Sequence, residues 1–282
     1  MNTLFRRAAW GLTMTALMLA QLAIAADGRR TDELMRASGM HARLAEVQPE
    51  ILKAIAERAD MRVEDRDRLA EILGAAFKPA KLQESATREL RRVLSAQDED
   101  EALRFLGTDL GHRITRLQAL AAADGGADRH PALAKSQWST APQHRRDLLG
   151  RLSAAVSYPE AAVDGYINMT TSIEYAAGLA SKPTEAEKTV QAYLLTRVRN
   201  RLARLRPELV RVAGEASRFS LAYTYRDLSD EELDRVVAFA ESPAGLRFSD
   251  ASMKAMGHAF TVAQAETGTA IGEEWVRRRG RS

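Results

Sequence analysis

A chain of 282 residues without cysteine is long enough to bury one large or two modest cores unaided, and it excludes disulfide frameworks, cysteine-ligated metal sites and lipoprotein anchors. Aromatic residues make up 6%, Ala, Leu and Arg abound, and alternating β-branched runs are scarce, so an all-α fold is expected. The formal charge of +3 falls further once the start of the chain is set aside.

Residues 1–25 read as a secretory signal peptide. Arg6 and Arg7 precede an apolar stretch from Ala8 to Leu22, and Ala23-Ile24-Ala25 supplies small residues for cleavage near Ala25/Ala26. A periplasmic or secreted protein is expected, with no stable transmembrane anchor after cleavage. Of 41 basic residues the mature chain loses Arg6 and Arg7, leaving 39 against 38 acidic ones, a net of +1. A nucleic-acid partner therefore has no compositional support.

The mature chain divides into unit 1 (26–123), a partly ordered linker (124–146) and unit 2 (147–282) with a basic tail. In unit 1, Thr31 is expected to cap a short helix that stops at Gly39. Leu44, Val47, Ile51, Leu52 and Ile55 stripe the next one, and Asp65–Phe77 and Pro79–Leu94 follow. Asp124-Gly125-Gly126, Pro131 and Pro142 mark the linker, in which Trp138 is expected to pack on a helical surface. Unit 2 reads as helices over Arg146–Val156 and Pro159–Leu179, then a long helix from Pro183. That helix carries Val190, Leu194, Val198, Leu202, Leu205 and Leu209 on one face, and Pro207 is expected to kink or divide it.

Leu228 to Phe248 reads as two helices meeting at a corner. Ser229 and Glu232 form a capping box, Leu233, Val236, Val237 and Ala240 give the first helix its apolar face, and Ser242-Pro243 restarts the chain. Leu94 to Ile114 repeats this pattern without a gap. Leu94, Ser95, Asp100, Phe105, Thr108, Gly111 and Arg113 stand 134 positions before Leu228, Ser229, Asp234, Phe239, Ser242, Gly245 and Arg247. Two related helical units in tandem are expected, with antiparallel packing.

Leu228-Ser-Asp-Glu-Glu-Leu233, followed by Phe239-Ala-Glu-Ser-Pro-Ala-Gly245, resembles a family of secreted bacterial proteins, the domain-of-unknown-function family numbered two-zero-five-nine. Its hallmark is an acidic helix start and then Phe-Tyr-x-Ser-Pro-x-Gly. Ala240 replaces the usual Tyr, so an aromatic contact or hydroxyl is missing there. The resemblance covers 222–262, is fainter over 31–114, and implies a small helical domain in an exported protein with no known reaction.

Residues with chemical potential are few and scattered. Phe239, Ser242, Pro243 and Gly245 are candidate surface residues, though capping and close packing also account for them. No Gly-x-Ser-x-Gly elbow surrounds Ser242 to make it a nucleophile. His41, His112, His130, His144 and His258 lack zinc-site spacing, leaving only a site assembled in space around His130 and His144. Asp98-Glu99-Asp100-Glu101 and Asp230-Glu231-Glu232 sit at helix starts, where the helix dipole favours negative charge.

Arg197, Arg201 and Arg204, with Arg199, Arg206 and Arg211 nearby, and the tail arginines Arg277, Arg278, Arg279 and Arg281 are candidates for an anionic surface or an acidic partner. Ile167, Met169, Ile173, Tyr175 and Ala176 could line an apolar pocket. The expectation is a non-catalytic binding or interaction protein of the cell envelope without a cofactor. The alternatives are a carrier of a lipid-like apolar ligand, or an enzyme whose site is built from distant residues.

Overall fold

The structure, a computed structural model, describes residues 28–59, 61–156 and 185–279, together with 160, 163 and 167. Among them there are helices and no strands. Helix α1 covers 28–37, followed by α2 (Met40–Ala56), α3 (Val63–Ala76), α4 (Pro79–Val93), α5 (Ala96–Leu106) and α6 (Asp109–Ala123). Two short helices, α7 (Gly126–Arg129) and α8 (Pro131–Thr140), lead to α9 (Gln143–Ala155). The chain then builds α10 (Glu185–Thr224), α11 (Asp230–Glu241) and α12 (Pro243–Arg279).

Among the described residues the two largest cores each draw on distant stretches of sequence. The first packs Leu34, Met35, Met40, Leu44, Phe77, Leu82, Leu90 and Leu106 of α1–α5 against Ala251, Ala255, Ala259 and Ala263 of α12. Alanines at every fourth position give α12 a narrow face, which lets it approach the leucines of α4 closely. The second core packs Leu148, Leu149, Leu152, Leu233, Val236 and Val237 of α9 and α11 against Leu110 and Ile114 of α6. Each unit therefore surrenders the helix after its corner to the other unit's core. The boundaries read from the sequence cut through both cores.

A second equivalence joins the halves. Helix α1 lies on α5, with Thr31 Oγ1 donating to Glu99 Oε1 at 2.7 Å and Arg30 paired to Asp100 at 2.8 Å. Helix α9 lies on α11 in the same way, with Arg145 paired to Asp230 and Arg151 to Glu241, both at 2.6 Å. Thr31 is thus an interior, buried residue of α1 and not its cap.

The expected linker is helical over most of its length. Ala134 of α8 is buried against Phe219 and Tyr223 of α10, and Trp138 packs at the edge of the second core with Arg218 over its ring at 6.0 Å. Tyr223 clamps the turn before α7. Its hydroxyl donates to Asp124 Oδ2 at 2.6 Å, His130 stacks on its ring at 5.6 Å, and Arg226 approaches the ring at 4.4 Å.

Pro207 does not divide the long helix, which runs unbroken for 40 residues. The proline is exposed, so water can satisfy the carbonyl that loses its partner. The expected signal peptide (1–25), the helix over Pro159–Leu179 apart from 160, 163 and 167, and the end of the tail beyond Arg279 lie outside the described residues. No helix among the described residues is long and apolar enough to cross a membrane.

Because each core takes a helix from the other half, a cut between Asp124 and Gly125 should leave fragments 26–124 and 125–282 poorly folded when separate. Mixing them should restore helicity and a cooperative melt, followed by far-ultraviolet circular dichroism.

Candidate functional site

The residues singled out by the corner motif converge on one place. Phe105 and Phe239 stack with ring centroids 4.0 Å apart and planes 7° from parallel. On either side of this pair the two corners are built alike. Thr108 Oγ1 accepts from Gly111 N at 3.0 Å and donates to the Phe105 carbonyl at 2.7 Å. Ser242 Oγ accepts from Gly245 N at 3.0 Å and donates to the Phe239 carbonyl at 2.7 Å. Each hydroxyl thus ties off the end of the incoming helix and caps the start of the outgoing one.

Both glycines are buried against the same carbonyl that the hydroxyl binds. A Cβ on Gly111 would stand 2.4 Å from the Leu106 oxygen and 2.5 Å from the Phe105 oxygen, and one on Gly245 would stand 1.9 Å from the Phe239 oxygen. The obstacle is backbone, which cannot rotate away.

Charge repeats the exchange. Arg113 of α6 donates to Glu232 Oε1 at 2.5 Å and to the Asp227 carbonyl at 2.6 Å, reaching into the second corner. Arg247 of α12 donates to Asp98 Oδ1 at 2.7 Å, reaching into the first. Asp98 and Glu232 occupy the same third position of their helices, 134 residues apart. The contacts are reciprocal, as across a two-fold interface. A search for identical residues misses this pair, because one member is Asp and the other Glu; Asp100, which does match Asp234, binds Arg30 instead.

The Asp98 carboxyl is held below the ordinary carboxylate range, chiefly by the Ser95 hydroxyl, against the opposing effect of burial, and with further help from Arg247. The groups that hold it there are the cap hydroxyl of its own helix and an arginine from the other half.

The remaining candidates separate. Pro243 is exposed at the start of α12, Ser242 and Phe239 are half-buried, and Gly245 is buried. No group of three or more His, Asp or Glu side chains among the described residues is placed to hold a metal ion. Arg277 and Arg278 bind Glu274, and Arg278 also binds Asp65 of α3 at 2.8 Å, so this part of the basic tail is drawn onto the chain's own acids. Of the five residues expected to line an apolar pocket only Ile167 is described, so that expectation lies outside the described residues.

Two further surfaces are formed by described residues. One is a groove of about 450 Å³ between α1, α2 and α4, lined by Asp32, Arg36, His41, Glu84, Arg88 and Arg91. Arg88 is paired with Glu84 at 2.6 Å. Among the described residues Arg36 and Arg91 have no carboxylate within ion-pair distance. The sequence concealed this groove, since its arginines come from helices that lie far apart in the chain. The other surface is the middle of α10: no described side chain from 196 to 216 is buried, and Arg197, Arg201 and Arg204 are all exposed. Neither a family model, nor a curated protein, nor a solved structure matches this chain.

Gly245→Ala and Gly111→Ala should each destabilise the fold by more than about 2 kcal/mol, because the added methyl overlaps fixed backbone; chemical denaturation checks this. Asp98 has a depressed carboxyl pKa in the folded state, so its contribution is present above the unfolded value of about 4 and is lost as pH falls through the folded one. Asp98→Asn should therefore flatten the acid limb of the stability curve below about pH 4, measured by urea denaturation across that range.

Proposed function

We propose that this chain is an exported, non-catalytic binding protein of the cell envelope, and that it takes an anionic component in the groove between α1, α2 and α4. The observation that carries the reading is the pair of arginines, Arg36 and Arg91, lining one groove without carboxylate partners among the described residues. A guanidinium offers a planar fork of donors matched to carboxylate or phosphate oxygens. Arg88 is already paired to Glu84 and is released when a stronger anion arrives, while Asp32 and Glu84 hold the groove's net charge near a single positive unit and so favour compact anions over extended polyanions.

Export is supported by the leader-like residues 1–25 and by the resemblance of 222–262 to a secreted family. A binding role is supported by the use to which the motif residues are put. Ser242 is engaged as a cap, Asp98 and Glu232 in ion pairs, and Phe239 in a stack.

The mature chain should bind phosphate-bearing anions, measured by calorimetry with inorganic phosphate and by retention on its own envelope fraction. Arg36→Ala with Arg91→Ala should weaken both about tenfold or more, in proportion to two lost charge-assisted contacts. Retention unchanged in that double variant, or turnover of an ester, phosphate, peptide or glycan that one polar substitution abolishes, would overturn the reading.

A further inference from the structure

The α1–α2–α4 groove holds an acid as well as its two arginines. Asp32 is half-buried in it and has no hydrogen-bond or ion-pair partner for its side chain among the described residues. Arg88 and Glu84, one turn apart on α4, satisfy each other at 2.6 Å. The charges of the groove left unmet among the described residues are therefore the guanidinium groups of Arg36 and Arg91 and the carboxylate of Asp32.

These charges are ordered along α1. Gly28, Asp32 and Arg36 follow at four-residue steps on one face of the helix, about 6 Å apart. Arg91 reaches from α4 across the first of these positions: a Cβ on Gly28 would stand 3.3 Å from its Nη2 and 3.7 Å from its Cζ. The missing side chain at Gly28 gives the guanidinium room to lie there. Read along the helix, the face is positive, negative and positive again.

We propose that the groove selects a compact anion that also carries a primary amine, with two negative charges divided between Arg36 and Arg91 and the ammonium on Asp32. The proposal rests on the anion-binding reading above and adds Asp32 as the residue that sets specificity. Charge complementarity defines the class. Two unmet cations and one unmet anion are matched by two negative charges and one positive. A phosphate monoester with an amine carries that set near neutral pH, as does an amino dicarboxylic acid. A phosphodiester, with a single negative charge, leaves an arginine unmet. A plain dianion leaves Asp32 facing a like charge. An ammonium is a donor on every hydrogen and accepts nothing, so a carboxylate is the partner it requires. The step of one helical turn also suits an amine and an anionic group joined by a short carbon link.

Calorimetry of the mature chain with two matched pairs of probes isolates the amine. O-phosphorylethanolamine should bind about fivefold more tightly than ethyl phosphate, or L-glutamate about fivefold more tightly than glutarate. The pair with the larger preference identifies the anionic group. Asp32→Asn should remove the preference from both sides, weakening the amine-bearing probe and tightening its amine-free partner. Damage to the fold would weaken both, so the opposite signs separate specificity from structure. Asp32→Glu, which keeps the charge, should keep the preference. Equal affinity within each pair, an Asp32→Asn chain that still prefers the amine, or one in which both members weaken together would overturn the proposal and leave the groove an anion site. Failure of every probe to bind, inorganic phosphate included, would overturn the anion reading itself and this proposal with it.

Discussion

The stacked pair Phe105–Phe239 is the contact on which the remainder of the structure turns. Parallel rings at 4.0 Å contribute only about 1 kcal/mol beyond the area they bury. Their importance is positional: each ring lies at the end of a helix whose successor crosses into the other half, so stacking them brings both crossings to one point. From there α6 can reach the leucines of α9 and α11, and α12 can reach those of α4. The larger stabilisation comes from those two burials. A defect at the stack misplaces both at once, which makes the described body cooperative although its sequence reads as two units.

Charge reinforces the same geometry from outside. Arg113–Glu232 and Arg247–Asp98 bridge the corners, Arg68–Glu274 and Lys81–Glu266 hold α12 along α3 and α4, and Arg145–Asp230 holds α9 on α11. Where such a pair is exposed, as Lys81–Glu266 is, it is worth about 1 kcal/mol or less. These pairs tie helices that are distant in the chain, whereas Arg36 and Arg91 in the α1–α2–α4 groove make no such tie among the described residues.

What could be read from the chain alone was local. Ser95, Ser229, Thr108 and Ser242 announce helix starts because a cap hydroxyl bonds a backbone group three residues on, and the spacing survives in sequence. Gly111 and Gly245 are legible for a related reason: the backbone they touch lies five or six residues away. The pairing of α1 with α5 and of α9 with α11 was hidden, because Leu34 and Leu148 stand 114 residues apart while the corners stand 134 apart. No single register aligns both pairings. The polar region 124–146 suggested a linker by composition, yet one buried alanine, one aromatic ring and the Tyr223 clasp on Asp124 suffice to order two short helices there.

By itself, then, the sequence determined the helical class, the positions of the two corners and the choice of Ser, Thr and Gly within them, since each follows from backbone chemistry inside one turn of helix. Only the tertiary structure decided that the halves exchange helices, that the acid partners of Arg113 and Arg247 lie in the opposite corner, and that two arginines from separate helices share a groove. Those facts depend on which apolar face finds which, and a stripe of Ala or Leu specifies burial without naming the helix that will cover it.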